Sequence, residues 1–400
     1  MKMKKLNVCF IGCGGFARAF VPLFQAHPTV EKVSVCDLIP ERAQEYQNMF
    51  KVPIVKSFED ALADPEINTI ANFTQRHLHG DIIIRALKAG KNVYSAVPMA
   101  SRVEECQEIV ELVKKTGLTY MMGETCIYYP SSMFCREKFL KGEFGHFVYG
   151  ESQYYHDIGH FSDNYRAALD SAGVPPFFYP THSTAMLLNA CDSYVTKVTG
   201  VGYRDQEDDP FFKADVNQWG NVFSNEYSLM QLANGGTARV NECRRIGWKA
   251  PSSCVQAFYG TEAGYQFSNA QHLFVVKNPK GVTLTDVSDY VNPVDMTAHK
   301  NDPDFMNQVA NHTWQWNSPA PIQFQERERL PESYKHGMRN GHMASHQLLI
   351  DDFCTAAAGE TLPRVHAWLA ARFTIPGLIA HESALRGGET MAVPDCGMPE

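Results

Sequence analysis

The sequence predicts an α/β fold: an N-terminal doubly wound parallel sheet, then a second α/β domain built on a large antiparallel or mixed sheet. Three observations carry this. Strand and helix patterns alternate from residue 1 to about 123, a glycine-rich turn joins the first strand to its helix, and strand-like runs follow one another from residue 146 onward.

Taken in order, strand patterns fall at Leu6 to Ile11, Val33 to Cys36, a weaker one at Val52 to Val55, then Thr69 to Phe73, Asn92 to Tyr94 and Leu118 to Met122. Each is followed by a turn or a helical period. Pro40 is placed to open the second helix and Ser57 with Asp60 the next. Ser101 followed by Glu104 reads as a capping box before a helix that stops near Gly117. A helix from Pro130 to Gly142 links to the second domain, where His146 to His156 alternates as a strand. Residues 157 to 178 read as a loop, and a helix begins near His182 in YPTHSTAMLLNA. Strand-like runs then occur at Val198 to Tyr203, Val222 to Leu232, Thr237 to Arg245, Cys254 to Tyr259 and Leu273 to Lys277. Residues 280 to 335 have no clear period, and helical patterns return at Ser345 to Ala357 and Ala367 to His381. The domains are therefore 1–123 and 124–400, with the last helices free to pack back on the first domain.

The organising stretch is Val8 to Phe20, an apolar run that reaches Gly12, turns through Gly14 and Gly15, and continues as a helical pattern. Glycines there let the backbone bend tightly and approach a pyrophosphate, while N–H groups at the helix start point at the anion. The next strand ends in Asp37, whose carboxylate can accept both ribose hydroxyls of an adenosine and repels a 2′-phosphate. A Rossmann domain binding NAD rather than NADP is expected. Ligands on such sheets lie beyond the carboxyl ends of the strands. The loops beginning Thr74-Gln75 and running to His79, the loop Ser95 to Ala100, and Gly123-Glu124 should therefore crowd the nicotinamide end.

Composition excludes several classes. The 400 residues are 44% hydrophobic, 12% aromatic and 20% charged, and 36 basic against 44 acidic residues give a net charge of −8. No long run of one sign points to nucleic acid, and no apolar span approaches the roughly 20 residues of a membrane helix. The opening MKMKKLNVCF sets lysines before an apolar run, but that run is a short strand ended by Gly12, so a mature cytoplasmic N-terminus is the reading. Eleven scattered cysteines without a CxxC suggest buried thiols in a reducing compartment. His156 and His160 have a zinc-like spacing, but Gly159 and the preceding strand argue against the helix it requires, so no metal is expected.

Gly12-Cys-Gly-Gly-Phe-Ala17, Asp37, Thr74 with His79, the Pro98 segment and the strand-rich second half resemble the Gfo/Idh/MocA oxidoreductases across essentially the whole chain. The resemblance implies a C-terminal α/β domain with a large, mostly antiparallel sheet, tightly held nicotinamide cofactor, and sugar or cyclitol substrates. It places Gly12, Gly14, Gly15, Phe16, Ala17, Asp37, Thr74, Gln75, His79, Val97 and Glu124 at the cofactor, and Tyr165-Arg166 matches a Trp-Arg pair that touches it. Family members usually carry Glu-Lys-Pro after the fifth strand, the lysine assisting proton transfer. This chain reads Ala96-Val97-Pro98, and valine can neither accept nor donate a proton.

The segments MMGETCIYY, GEFGHFVYGESQYYHD and YPTHS resemble the branch of NAD-dependent α-N-acetylgalactosaminidases, which also lacks that lysine. That likeness implies Tyr154, Tyr179 and His182 as catalytic residues, with Tyr128 and His156 beside the substrate. The chain departs from the branch in Ala96, where a glutamate is usual, and in the segment His342-Met-Ala-Ser-His346. His342 and His346 are candidate hydroxyl binders, and Arg244 either binds an acidic sugar or lies on an exposed sheet edge. An imidazole at a helix N-terminus tends to stay neutral and basic, which suits His182. The expectation is glycoside hydrolysis through transient oxidation at C3, C2 deprotonation, elimination, water addition and re-reduction. A plain sugar or cyclitol dehydrogenase and a non-catalytic NAD-binding regulator are the alternatives. A homodimer or homotetramer is expected.

Overall fold

In a computed structural model the described residues are 4–160, 172–205, 209–247, 254–267, 272–291, 329–335 and 345–399. Arg166 and His342 lie outside them. The chain forms two units: residues 1–125 with 326–374 and 396–400, and residues 126–325 with 375–395.

In the first unit β1 (Leu6–Ile11), β2 (Val30–Cys36), β3 (Thr69–Asn72), β4 (Asn92–Ser95) and β5 (Tyr120–Met122) make a parallel sheet in the order β2-β1-β3-β4-β5. The central strands read as apolar runs because both faces are covered; every residue of β3 is buried. The order reverses between β1 and β3, so the glycine turn and the Thr74 loop meet at the switch point where dinucleotides bind. The connecting helices are α1 (Val21–Ala26), α2 (Pro40–Phe50), α3 (Phe58–Ala63), α4 (His79–Lys88) and α5 (Val103–Thr116).

Pro40 sits in the first turn of α2, and Ser57 caps α3 by accepting from Asp60 N–H at 3.0 Å. Three local readings need correction. The turn after Gly15 is a short 3-10 piece, Ala17–Ala19, and α1 starts only at Val21, because Pro22 is tolerated only in a first turn. Residues Val52 to Val55 contribute one bridge, Ile54 to Val35, since Pro53 has no N–H for a ladder. Ser101 does not cap α5: Arg102 is the N-cap, without a side-chain cap bond, and its guanidinium holds Glu105 at 2.6 Å.

The unit is completed by α8 (His346–Gly359) and the first residues of α9 (Ala367–Leu385), while the bridge of His366 to Met121 extends the β5 edge. Phe10, Phe20 and Phe73 stack under the glycine turn, with ring centroids 5.4 Å apart for Phe10–Phe73 and 5.0 Å for Phe20–Phe73.

The second unit contains α6 (Pro130–Leu140), β6 (Phe147–Tyr155), α7 (Thr181–Cys191), β7 (Val195–Arg204), β8 (Phe223–Leu232), β9 (Thr237–Cys243), β10 (Cys254–Gly260), β11 (Ala263–Phe267), β12 (His272–Asn278), β13 (Gly281–Asp286) and β14 (Met391–Ala392). Among the described residues these strands form one sheet ordered β13-β12-β11-β10-β6-β9-β8-β7-β14, with β6 and β9 parallel and the other pairs antiparallel. Helix α7 lies on one face: Met186 packs with Tyr154 and Cys254. The opposite face is open, exposing Val201, Leu229 and Tyr259.

Strands β11 and β13 fall in stretches that gave no strand signal. All six residues of β13 are exposed, so no buried face imposes an apolar alternation. The cysteines form no disulfide, and ten of the eleven are buried. No helix among the described residues is long and apolar enough to cross a membrane.

Candidate cofactor and active site

Strand β1 delivers Gly12 into a left-handed conformation, φ +96°, hard against β3: a Cβ there would lie 2.7 Å from the Phe73 carbonyl oxygen. By contrast, a Cβ on Gly14 or Gly15 meets nothing within 4 Å. The first glycine is demanded by packing, and the next two border open space of the kind a pyrophosphate needs. Phe16 is exposed and Ala17 fully buried.

At the end of β2, Asp37 accepts from Cys13 N–H at 2.6 Å and from Ile39 N–H at 2.8 Å. A carboxylate has about four lone-pair positions, so two remain for a ribose diol. These residues fit a dinucleotide. Replacing Asp37 by alanine is expected to weaken NAD binding by on the order of 2 kcal/mol, and to shrink the preference over NADP by removing the like-charge repulsion. Titration of both cofactors into the variant checks this.

Beyond β3, Thr74 Oγ1 donates to Asn72 Oδ1 at 2.8 Å, and Gln75 is exposed. His79, only 1% exposed, ties two loops together: Nδ1 lies 2.7 Å from the Pro98 carbonyl oxygen and Nε2 3.2 Å from that of Thr74. Both ring nitrogens are thereby engaged with loop carbonyls. Burial pushes the imidazole down to about 4, against the opposing pull of those carbonyls. An unfolded histidine takes up a proton near 6.5, so the unfolded chain binds more protons between pH 6.5 and 4. Stability from His79 is full above pH 6.5 and is lost as pH falls through that window, by roughly 2 kcal/mol at pH 5. His366, also buried and lowered to about 4, adds in the same direction. Urea midpoints at pH 7 and pH 5 test this, and His79→Asn, which keeps a donor toward Pro98, should flatten the slope.

Ala96 and Val97 are both buried, and the Val97–Pro98 peptide is cis. The loop thus presents an aliphatic pair where a proton-transferring side chain was sought. Glu124, just after β5, is fully buried. His346 opens α8 in this first unit and packs on the aromatic layer, 4.3 Å from the Phe20 ring and edge-on to Phe16 at 5.8 Å.

In the second unit the sheet face under α7 carries a second polar constellation. Tyr154 on β6 opposes Glu242 on β9 and Cys254 on β10. The Tyr154 hydroxyl is 2.7 Å from His156 Nδ1, and its ring lies 4.9 Å from that of His182. Burial pushes the Tyr154 hydroxyl well above its ordinary value, and the Arg244 cation acts in the opposite direction. A phenol held protonated has one proton to donate, toward His156 Nδ1 or, where that nitrogen carries its own proton, toward another oxygen.

Tyr179 and His182 straddle the start of α7, and the Tyr179 hydroxyl sits 3.0 Å from His182 Nε2. Pro180 ends the preceding turn and places His182 as the second residue of the helix. There the positive helix end disfavours an imidazolium. His182 is 5% exposed, whereas Tyr179 is half-buried, so the phenol is the outer member of the pair.

Arg244, at the end of β9, is only 3% exposed. This corrects the sheet-edge reading: β9 lies between β6 and β8, and α7 covers that face. Tyr128 is wholly buried. His156 follows β6, and Ile158–His160 form a 3-10 turn, so the spacing of those histidines does not lie on an α-helix.

Two carboxylates carry no local sequence signal as site groups. Glu242 accepts from Ser183 Oγ beside His182, and Glu226 accepts from Phe177 N–H at 2.7 Å while meeting His381 Nδ1 at 2.6 Å. Both carboxylates are fully buried and brace the turn that carries Tyr179. What the sequence does show is a charged residue at the inward parity of β8 and of β9.

The family profile described as "Oxidoreductase family, NAD-binding Rossmann fold" (GFO_IDH_MocA) matches residues 6–124. A glycosyl hydrolase family 109 protein of Shewanella baltica is 29% identical over 167 residues, covering 39% of this chain and 36% of that protein. Glycosyl hydrolase family 109 protein 3 of Phocaeicola vulgatus is 28% identical over 173 residues, covering 41% and 32%. The chain thus matches about a third of the length of these curated relatives. Among solved structures, levoglucosan dehydrogenase in complex with NADH and levoglucosan aligns with a TM-score of 0.73 at 18% identity, covering 98% of this chain and 100% of that one. An oxidoreductase domain protein from Kribbella flavida aligns with a TM-score of 0.73 at 16% identity, with the same coverage. At such identities these structures establish likeness of fold.

Proposed function

We propose, from the match of residues 6–124 to the Gfo/Idh/MocA oxidoreductase family profile, that the chain is an NAD-dependent enzyme that cleaves glycosides without net oxidation. The observations that carry this reading are the hydrogen-bonded Tyr179–His182 pair of the second unit and, in the first, an aliphatic Val97 where the family resemblance expects a proton-transferring lysine. The glycine turn and Asp37 would hold NAD, which would supply a hydride acceptor and donor for the sugar carbon.

With C3 of the bound sugar at the ketone level, the C2 proton becomes acidic. His182 takes that proton through the Tyr179 hydroxyl, and the electron pair left at C2 expels the aglycone from C1. Water then adds to the enone at C1, its released proton going to the departed aglycone oxygen, Tyr179 and His182 return a proton to C2, and the C3 carbonyl goes back to the alcohol level. Tyr154 steadies the charge that develops on oxygen. The names of the curated relatives support this glycosidase reading.

A plain sugar dehydrogenase is the second reading, favoured by the likeness to levoglucosan dehydrogenase. The assay uses aryl glycosides with no added cofactor. Release of phenol without accumulating NADH supports cleavage; stoichiometric NADH with an intact glycosidic bond supports the dehydrogenase; NAD binding with neither supports a non-catalytic regulator. A homodimer or homotetramer pairing through the open sheet face of Val201, Leu229 and Tyr259 belongs to the same proposal.

A further inference from the structure

We propose that Arg244 is the anchor for a carboxylate on the substrate, so that the sugars taken are uronic acid glycosides. This deepens the functional reading above and rests on it. A guanidinium carries five N–H donors, and a buried one is ordinarily paired. Arg244 is 3% exposed, yet Nη1 reaches the Cys243 carbonyl oxygen only at 3.5 Å. Nη2 is ion-paired with the fully buried Glu242, 3.5 Å from Oε2, but makes no hydrogen bond, so the charge is balanced while the donors stay under-used.

The faces of Tyr154 and Tyr179 lie 5.5 Å and 5.6 Å from the guanidinium carbon. They attract the cation but accept none of its N–H donors in the plane of the fork. The neighbouring residue is an internal control: Arg245 places Nε and Nη2 both 2.8 Å from Asp209 Oδ2, the pairing of a structural arginine.

Nor is Arg244 loosely held. Its N–H donates to the Ser224 carbonyl and to Asn225 Oδ1, each at 2.9 Å, and its carbonyl accepts from Ile158 N–H at 2.7 Å. A rigid, dry, under-bonded fork beside the Tyr179–His182 pair fits a planar ligand with two acceptor oxygens. A carboxylate only accepts and so suits a group that only donates, whereas a sugar hydroxyl brings one oxygen and a proton needing its own acceptor.

The test titrates the NAD-loaded protein with methyl glucuronide and methyl galacturonide, both anomers, against the matching neutral methyl glycosides. At least one uronide is expected to bind tenfold or more tighter than its neutral counterpart. Arg244→Lys, which keeps the charge beside Glu242, should reduce that preference about tenfold with bound NAD little changed, and Arg244→Met should erase it. Equal or tighter binding of the neutral glycosides overturns the proposal. So does an equal loss of both classes in Arg244→Lys, which would mark a structural role. Arginine-dependent uronide binding without bond cleavage would leave this inference standing and remove the glycosidase reading. Cleavage of neutral glycosides without uronide preference would do the reverse.

Discussion

Replacing His182 by leucine should lower turnover by a factor of roughly 10² to 10⁴ while bound NAD is retained. The imidazole is the terminal proton acceptor in the proposed route, and its Nε2 is 3.0 Å from the Tyr179 hydroxyl. Leucine is close in volume, so the helix start should hold. Yet it strands the Tyr179 hydroxyl without its base. His182→Gln separates chemistry from architecture, because an amide can still hydrogen-bond the phenol but cannot take a proton at neutral pH. Both variants should show the same large loss in kcat, with melting temperatures near that of the parent. Activity within tenfold of the parent in either one would remove His182 from the mechanism.

Gly12→Val should unfold or strongly destabilise the first unit, whereas Gly14→Ala should leave stability within about 0.5 kcal/mol and weaken NAD binding. At Gly12 two costs add. The φ of +96° is strained for any residue with a Cβ, by roughly 1–2 kcal/mol, and the new atom would stand 2.7 Å from the Phe73 oxygen and 2.9 Å from its carbon. These are backbone atoms of the chain leaving β3, so relief requires moving a strand end, and a further 1–3 kcal/mol is expected from overpacking. Gly14 has no neighbour within 4 Å of a Cβ, so a methyl there obstructs only what approaches from outside. Thermal melts of cofactor-stripped protein, paired with NAD titrations, should show the two effects on different axes.

What the sequence made legible follows from what physics writes locally. The central parallel strands are visible because covering both faces turns them into apolar runs, and Asp37 is visible because it directly follows the apolar end of β2. Tyr179 and His182 are three residues apart, and Pro180 between them marks the helix start. Other features depend on partners far along the chain. Tyr154 meets Glu242 and Cys254 only through the register of β6 with β9 and β10, which no local window contains. The burial of Arg244 comes from β9 lying inside the sheet rather than at its rim. Ser101 was misread as a cap because its loop after β4 buries it, and the helix waits for Val103. Strand β13 left no signal because neither of its faces is covered.

The account rests on proton removal at C2 by groups of the second unit, and the isotope content of the released sugar reads that step directly. Turnover of an aryl glycoside in D2O should give a product carrying deuterium at C2, because the proton taken through Tyr179 exchanges with solvent before another is returned. Complete aglycone release with protium retained at C2 would contradict it.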